Sequence, residues 1–269
     1  MKRKLLTLLG LVGLPALLQL ARFGLKELFF AFTSRSLFAD RCASLVAMVL
    51  LSALLVLACR LRGVSLHVFP QRFGWPYWVG TGLYLALLIS TPLITGETAP
   101  AKLVLLVYSG VIVPIFEELI FRGLVWEKLK AAFEKDWLVY VLCAVLFALW
   151  HLGYVDSLAL RVQSGLGKAM FWKAMTGLGF GVVLGLLRWK AKNCYATMLL
   201  HGAMNIFGRR QANARREVDP LGGRFCLQAV YLRCCASHSS RVIAYTRVKV
   251  FFGSAYCSTN FMRFFSATP

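Results

Sequence analysis

Seven long apolar segments constrain this chain more than any other feature of its sequence, because each can cross a membrane as a helix. About 20 apolar residues, rising about 1.5 Å per residue, span the hydrocarbon layer of a bilayer. The composition agrees, since 59% of the 269 residues are hydrophobic and 16% are charged, against about 45–50% and about 25% in soluble domains. We therefore predict an all-α, polytopic transmembrane bundle with spans at residues 5–21, 43–59, 75–95, 103–121, 137–153, 174–189 and 194–208.

The segments outside these spans indicate how the chain meets the membrane. The start, MKRKLL, is basic before an apolar stretch, as in an uncleaved signal anchor. Residues 22–41 mix charged and aromatic side chains, which predicts a helix lying in the membrane interface. The net charge of +20 comes from Lys and Arg that cluster between spans, where they face anionic headgroups. We therefore expect an integral, multi-pass protein with membrane lipid, and not nucleic acid, as a partner.

The last part of the chain differs from the rest. After residue 207 the apolar residues lose helical periodicity, and we expect residues 208–269 to lie outside the folded core. Four of the eight cysteines lie in this tail, at Cys226, Cys234, Cys235 and Cys257, without the spacing of a metal site. The expected organisation is an N-terminal transmembrane region at 1–99, a core at 100–207 and the tail at 208–269. The four cysteines before the tail are expected to be packed thiols.

The stretch PIFEELIFRG, which starts at Pro114, places two carboxylates inside the fourth apolar segment and an arginine directly after it. An ionised side chain near the centre of a spanning helix costs about 2.5–3.5 kcal/mol on insertion scales. Glu118 and Arg122 are four residues apart on one helical face, which predicts an ion pair. Glu117 lies about 100° away around the helix, so we expect it outside this ion pair and available for another role. Pro114 cannot donate to the carbonyl of Gly110, so we expect a kink just before the carboxylates.

Two later spans carry polar side chains at the same spacing. FALWHLG places Phe147 and His151 four residues apart, and LLHGAMNIF does so for His201 and Asn205. Polar groups that are expensive in lipid become tolerable when their spans face a common cavity. Between these two spans a stripe of small residues lets a neighbouring helix approach closely. Its members are Gly177, Gly181 and Gly185.

A cavity lined by carboxylates, imidazoles and a carboxamide is suited to hydrolysis. A carboxylate can take a proton from water that a nearby imidazole holds. A second imidazole and a carboxamide can donate to the oxyanion formed when water attacks an amide. No Ser or Cys lies at helical spacing from either histidine, so a nucleophile and base pair lacks support. Zinc on Glu117, His151 and His201 is the competing arrangement, although the HExxH spacing is absent.

Three motifs resemble those of a known family. EELIFR, FALWH and HGAMN match, in order, the EExxxR, FxxxH and HxxxN motifs of the CAAX protease and bacteriocin-processing (CPBP, or Abi) family of intramembrane proteases. The resemblance covers about residues 100–207. It implies that the first Glu and first His activate water, and that the second His and the Asn stabilise the oxyanion. Between a metal-free mechanism and a zinc mechanism we prefer the one without a cofactor. The implied catalytic residues are Glu117, Glu118, His151, His201 and Asn205, with Arg122 and Phe147 in structural roles.

The resemblance implies a membrane-anchored substrate, either a protein or a peptide with a C-terminal signal, cut near its membrane end. Two other classes could use the same cavity. A transporter would pass protons or ions along the polar groups, although no inverted repeat is visible between the halves of the chain. An immunity or binding protein would keep the cavity without turnover. The Glu117→Gln variant distinguishes the protease from the transporter and the binding protein. The amide preserves the helix but cannot accept a proton, so only activities that need this base are lost.

Overall fold

The computed structural model describes residues 2–218, 229–231 and 249–251, and the side chains of residues 9–209. The α-helices in these residues are α1 (Lys2–Phe30), α2 (Leu37–Leu61), α3 (Trp75–Thr95), α4 (Pro100–Val107), α5 (Val113–Glu118), α6 (Trp126–Ala132), α7 (Asp136–Trp150), α8 (Val155–Ala159), α9 (Leu166–Ala191) and α10 (Cys194–Val218). Two short strands, β1 (Ala229–Tyr231) and β2 (Lys249–Phe251), pair antiparallel.

Three irregular turns join the shorter helices into longer ones. π-helical turns connect α4 to α5 at Tyr108–Ile112 and α5 to α6 at Leu119–Val125. A 3₁₀ turn at His151–Tyr154 connects α7 to α8. The results are two long helical segments, Pro100–Ala132 and Asp136–Ala159. π-helical turns are rare and occur frequently at functional sites.

Six helical segments in the described part of the chain are long and apolar enough to cross a membrane. They are Leu9–Phe30, Leu37–Leu61, Trp75–Thr95, Pro100–Ala132, Asp136–Ala159 and Leu166–Ala191. They overlap the first six predicted spans, and the predicted all-α polytopic bundle is confirmed. The seventh predicted span, 194–208, lies within α10.

The prediction of an interfacial helix at 22–41 is wrong. Helix α1 continues to Phe30, and its residues Arg22 and Lys26 are 1% and 2% exposed. Both are buried because they meet carboxylates inside the bundle: Arg22 lies 3.0 Å from Asp156, and Lys26 lies 2.6 Å from Asp40. A basic residue paired inside a bundle and one facing headgroups look alike in a sequence.

The predicted glycine stripe brings α9 against α7. A Cβ atom at Gly181 would lie 2.9 Å from the main-chain oxygen of Ala144, and one at Gly177 would lie 2.6 Å from Nδ1 of His151. Real Cβ atoms do not approach other atoms so closely, so these positions admit only glycine without a shift of the helices. The close approach brings the end of α7, with His151, beside α9.

The C-terminal tail and the cysteines are the remaining regions with a prediction from the sequence. Apart from β1 and β2, residues 219–269 lie outside the described residues, as do the four tail cysteines. The expectation that residues 208–269 are not part of the folded core therefore stays a prediction. The four earlier cysteines are free thiols, three of them buried, as expected for packed thiols: Cys42, Cys59, Cys143 and Cys194.

Candidate functional site

The site is built around an interruption of the fourth span. Pro114 has no N–H, so it cannot donate to the carbonyl of Gly110 in an α-helix or to that of Ser109 in a π-helix. Side chains from other spans donate to both carbonyls. The hydroxyl of Tyr84 donates to Gly110 O at 2.7 Å, and Nδ2 of Asn205 donates to Ser109 O at 2.9 Å. A π-helical turn, whose free carbonyls are satisfied from outside, lies where the sequence predicts a kink.

Close packing against this turn positions α10. A Cβ atom at Gly202 would lie 2.4 Å from the carbonyl oxygen of Gly110 and 2.7 Å from the ring of Tyr84. Only glycine permits that approach. The neighbouring residue, His201, is consequently directed towards the carboxylates of α5.

Glu118, Arg122 and His201 form a buried charged cluster. Nη1 of Arg122 lies 3.1 Å from Oε1 of Glu118, which is the predicted i,i+4 contact. Nδ1 of His201 lies 2.8 Å from the same oxygen. The side chains of Glu118 and Arg122 are fully buried. The arginine compensates the carboxylate, since an unpaired charge at this depth would be strongly unfavourable.

Glu117 has a different environment on each of its two oxygens. Oε1 accepts hydrogen bonds from the Tyr154 hydroxyl at 2.6 Å and from the Trp150 indole at 3.1 Å. Oε2 lies 3.8 Å from Nε2 of His201 and has no hydrogen-bond partner among the described side chains. The carboxylate is thus separate from the Glu118–Arg122 ion pair, as predicted, although His201 approaches both carboxylates.

His151 is held by its own helix. Its Nδ1 lies 2.7 Å from the carbonyl oxygen of Phe147. A carbonyl can only accept, so Nδ1 carries the proton of the neutral ring and Nε2 has a free lone pair. His151 makes no direct hydrogen bond to Glu117.

Phe147 lies at the centre of the motif residues. The Arg122 guanidinium carbon is 4.2 Å from the centroid of its ring, and the His151 and His201 rings are 4.8 Å and 6.0 Å away. The ring therefore separates the charged cluster from His151 and packs against both. This arrangement fits the structural role implied for Phe147.

Asn205 contacts the interrupted part of the fourth span. Its amide nitrogen donates to the main chain of Ser109 in the π-helical turn. A carboxamide nitrogen has two hydrogens, so one donor remains for another acceptor. The structure brings Glu117, Glu118, Arg122 and His201 into contact, and Asn205 binds the neighbouring π-helical turn.

Three further side chains of the site carry no motif and were not identified from the sequence. Trp150 and Tyr154 flank His151 in WHLGY and hold Glu117. Their i,i+4 spacing was the available signal, but an apolar helix with aromatics has many such pairs. Tyr84 comes from α3, and no local pattern connects it with Gly110.

The geometry does not favour the zinc arrangement. Among the residues whose side chains are described, no group of three or more His, Cys, Asp and Glu side chains is arranged to hold a metal ion. Glu117, His151 and His201 therefore do not form a three-ligand set as they stand. The expectation that no cofactor is needed stays a prediction.

Comparison with protein-family models gives a match over the region that carries the motifs. Residues 99–207 match the family model described as Rce1-like, type II CAAX prenyl endopeptidase Rce1-like. No match was found among curated proteins or among solved structures. The matched segment contains all seven candidate residues and coincides with the predicted region of resemblance. The chain is an integral, multi-pass membrane protein, and its residues 99–207 are similar to the CAAX prenyl endopeptidase family.

Proposed function

We propose that the chain is an intramembrane endopeptidase in which Glu117 activates water to cut a peptide bond near the membrane end of a substrate. The observation that carries this proposal is the asymmetric environment of the carboxylate. Glu117 is 1% exposed, its Oε1 is held by two donors and its Oε2 is left without one by the described side chains. Buried polar atoms normally have partners. An oriented, unpartnered carboxylate oxygen is suited to accept a proton from water.

His151 is the proposed second contact of that water. The bond from Nδ1 to Phe147 O leaves the Nε2 lone pair available as an acceptor. His151 is 8% exposed and lies on the turn that also carries the two donors to Glu117. A water that donates to Glu117 and His151 would direct its lone pair at the substrate carbonyl.

His201 is the proposed donor to the oxyanion. Its Nδ1 faces Glu118, whose negative charge Arg122 maintains, so Nδ1 donates. Its Nε2 lies 3.8 Å from Oε2 of Glu117, on the side of the proposed water, and a proton on Nε2 would make it the donor to the oxyanion. Glu118 acts in this scheme by orienting His201. The remaining amide hydrogen of Asn205 is the proposed second donor to the oxyanion.

The family match and the membrane setting support one substrate class. The matching family is described by its action on prenylated CAAX proteins, which supports a lipid-anchored protein or peptide with a C-terminal signal as the substrate of this chain. We assign the catalytic region to residues 100–207 and the role of membrane embedding to residues 1–99. No nucleic-acid partner and no metal enters this scheme.

A comparison of peptide ends tests the proposal. Host membranes carrying the native chain, Glu117→Gln or Glu134→Gln at matched abundance are compared by mass spectrometry of terminal peptides. Glu134 is exposed, so the control makes the same chemical change outside the site. Loss of a general base lowers rates by about 10²–10⁴-fold. New ends should therefore be present with the native chain and with Glu134→Gln, and absent with Glu117→Gln.

Two results would contradict the proposal. The same new ends with Glu117→Gln would show that this carboxylate is not the base. An absence of new ends with a correctly inserted native chain would favour transport or binding, and ion flux measurements would follow.

A further inference from the structure

The short turn from Trp150 to Tyr154 carries the side chains that hold Glu117. Trp150 and Tyr154 both donate to Oε1 of Glu117, and His151 lies between them in the chain. The turn consists of the last residue of α7 and the 3₁₀ turn that follows, where the last carbonyls of a helix have no partner within the helix. Its position therefore depends on donors from elsewhere in the bundle.

Helix α1 supplies those donors. Nε2 of Gln19 donates to the carbonyl oxygen of Trp150 at 3.1 Å, and Nη2 of Arg22 donates to that of Gly153 at 2.8 Å. Nε of Arg22 also donates to Oε1 of Gln19 at 2.7 Å, so the two side chains act as one unit. A cation at the C-terminal end of a helix is further favoured by the exposed carbonyl dipoles.

Arg22 also contacts the tyrosine that binds Glu117. Its guanidinium carbon lies 4.8 Å from the centroid of the Tyr154 ring, within the range of a cation–π interaction. Arg22 is 1% exposed, and its charge is compensated by Asp156 at 3.0 Å. A buried, paired arginine against this ring restricts where the Tyr154 hydroxyl can point.

We infer that Arg22, together with Gln19, is a positioning residue for Glu117 that acts through the Trp150–Tyr154 turn. The inference rests on the proposed function, because it takes Glu117 as the base. By holding the two donors on Oε1, Arg22 sets the direction of Oε2. Part of the site then lies in α1, outside the residues 99–207 that match the family model.

Arg22→Gln is the test, and Arg161→Gln is its control. Arg161 pairs with Asp40 at 3.1 Å, and its described contacts do not include the Trp150–Tyr154 turn. Both variants remove one positive charge from the same end of the bundle. Arg161 is the less buried of the two and its loss should destabilise the fold less, so cleavage rates are compared per folded molecule. Arg22→Lys keeps the charge and one donor group, and it replaces Arg22→Gln as the test variant if Arg22→Gln does not fold.

The measurement is the cleavage rate of a synthetic prenylated peptide by the purified full chain in bicelles, followed by mass spectrometry. If that peptide is not cut, the host peptides with Glu117-dependent ends replace it. Misplacement by about 1 Å costs up to about 10²-fold in rate. We expect Arg22→Gln to lower kcat about 10–100-fold with KM within about threefold, Arg22→Lys to be intermediate, and Arg161→Gln to stay within about threefold of the native chain.

Combination with Tyr154→Phe separates positioning from general destabilisation. If Arg22 acts through the turn, Arg22→Gln should slow the Tyr154→Phe variant by less than about twofold, because residues acting as a unit are not additive. Equal losses of cleavage rate in Arg22→Gln and Arg161→Gln would overturn the inference, and so would full additivity of Arg22→Gln with Tyr154→Phe. In either case cleavage by the native chain would still support the proposed function. A native chain that cuts nothing would overturn the proposed function and this inference with it.

Discussion

Replacing Arg122 with methionine should destabilise the folded chain strongly, because it leaves a carboxylate buried without its cation. Arg122 and Glu118 have no exposed side-chain surface, and their charged atoms are 3.1 Å apart. In the variant, Glu118 keeps only His201, at 2.8 Å, as a hydrogen-bond partner. Methionine is apolar and flexible enough to occupy the space of the arginine stem.

The expected cost is about 3–5 kcal/mol, the range for breaking one side of a buried ion pair. The loss of the Arg122 cation from the Phe147 ring, where the separation is 4.2 Å, contributes about 0.5–2 kcal/mol within that total. Glu118→Gln should cost a similar amount, because it leaves the arginine buried without a carboxylate. The double variant removes both charges, and neutral replacement of a buried pair is often close to neutral.

The assay is reversible unfolding by SDS in mixed micelles, which gives the free energy of unfolding of each variant without reference to catalysis. We expect the loss of unfolding free energy in the double variant to be at least about 2 kcal/mol smaller than the sum of the losses in the two single variants. Two results would refute the reasoning. One is a cost below about 1 kcal/mol for Arg122→Met, and the other is additivity of the two changes within about 0.5 kcal/mol.

Three shorter predictions concern other parts of the chain. Gly202→Ala should lower the free energy of unfolding by about 1–3 kcal/mol or more, since its Cβ would lie 2.4 Å from Gly110 O. Gly167→Ala is the control, because its Cβ would have nothing within 4 Å, and it should not destabilise the chain in the same unfolding assay. Dialysis against a chelator should leave cleavage unchanged, and a loss restored by added zinc would contradict the metal-free scheme. Burial raises the pKa of Glu97, but Lys102 and other nearby cations hold that pKa below its ordinary value. The carboxylate therefore stabilises the fold above about pH 4.3 and loses this effect as the pH falls further. The stability difference between the native chain and Glu97→Gln should be present at pH 7 and shrink by about pH 3; an unchanged difference would contradict the assignment.

Residue spacing and composition were sufficient for several features of the chain. Apolar segments of spanning length predicted the helical bundle, because length and hydrophobicity alone decide whether a helix can cross a bilayer. The four-residue spacing of Glu118 and Arg122 predicted their contact, because helical periodicity places such residues side by side. The proline at 114 predicted the break ahead of the carboxylates, since its missing N–H is a property of the residue itself.

Other features could not be obtained from spacing, because they depend on which helices touch. Arg22 was assigned to the membrane interface, and only its burial against Asp156 and Gly153 shows that it belongs to the bundle. The hydrogen bond from the Asn205 amide to Ser109 O, on a turn whose carbonyls Pro114 leaves free, is not visible in the sequence. Helical periodicity reports the face and depth of a side chain. Its partner is chosen by packing between helices distant in the chain, and that partner decides whether a buried charge or amide is tolerated.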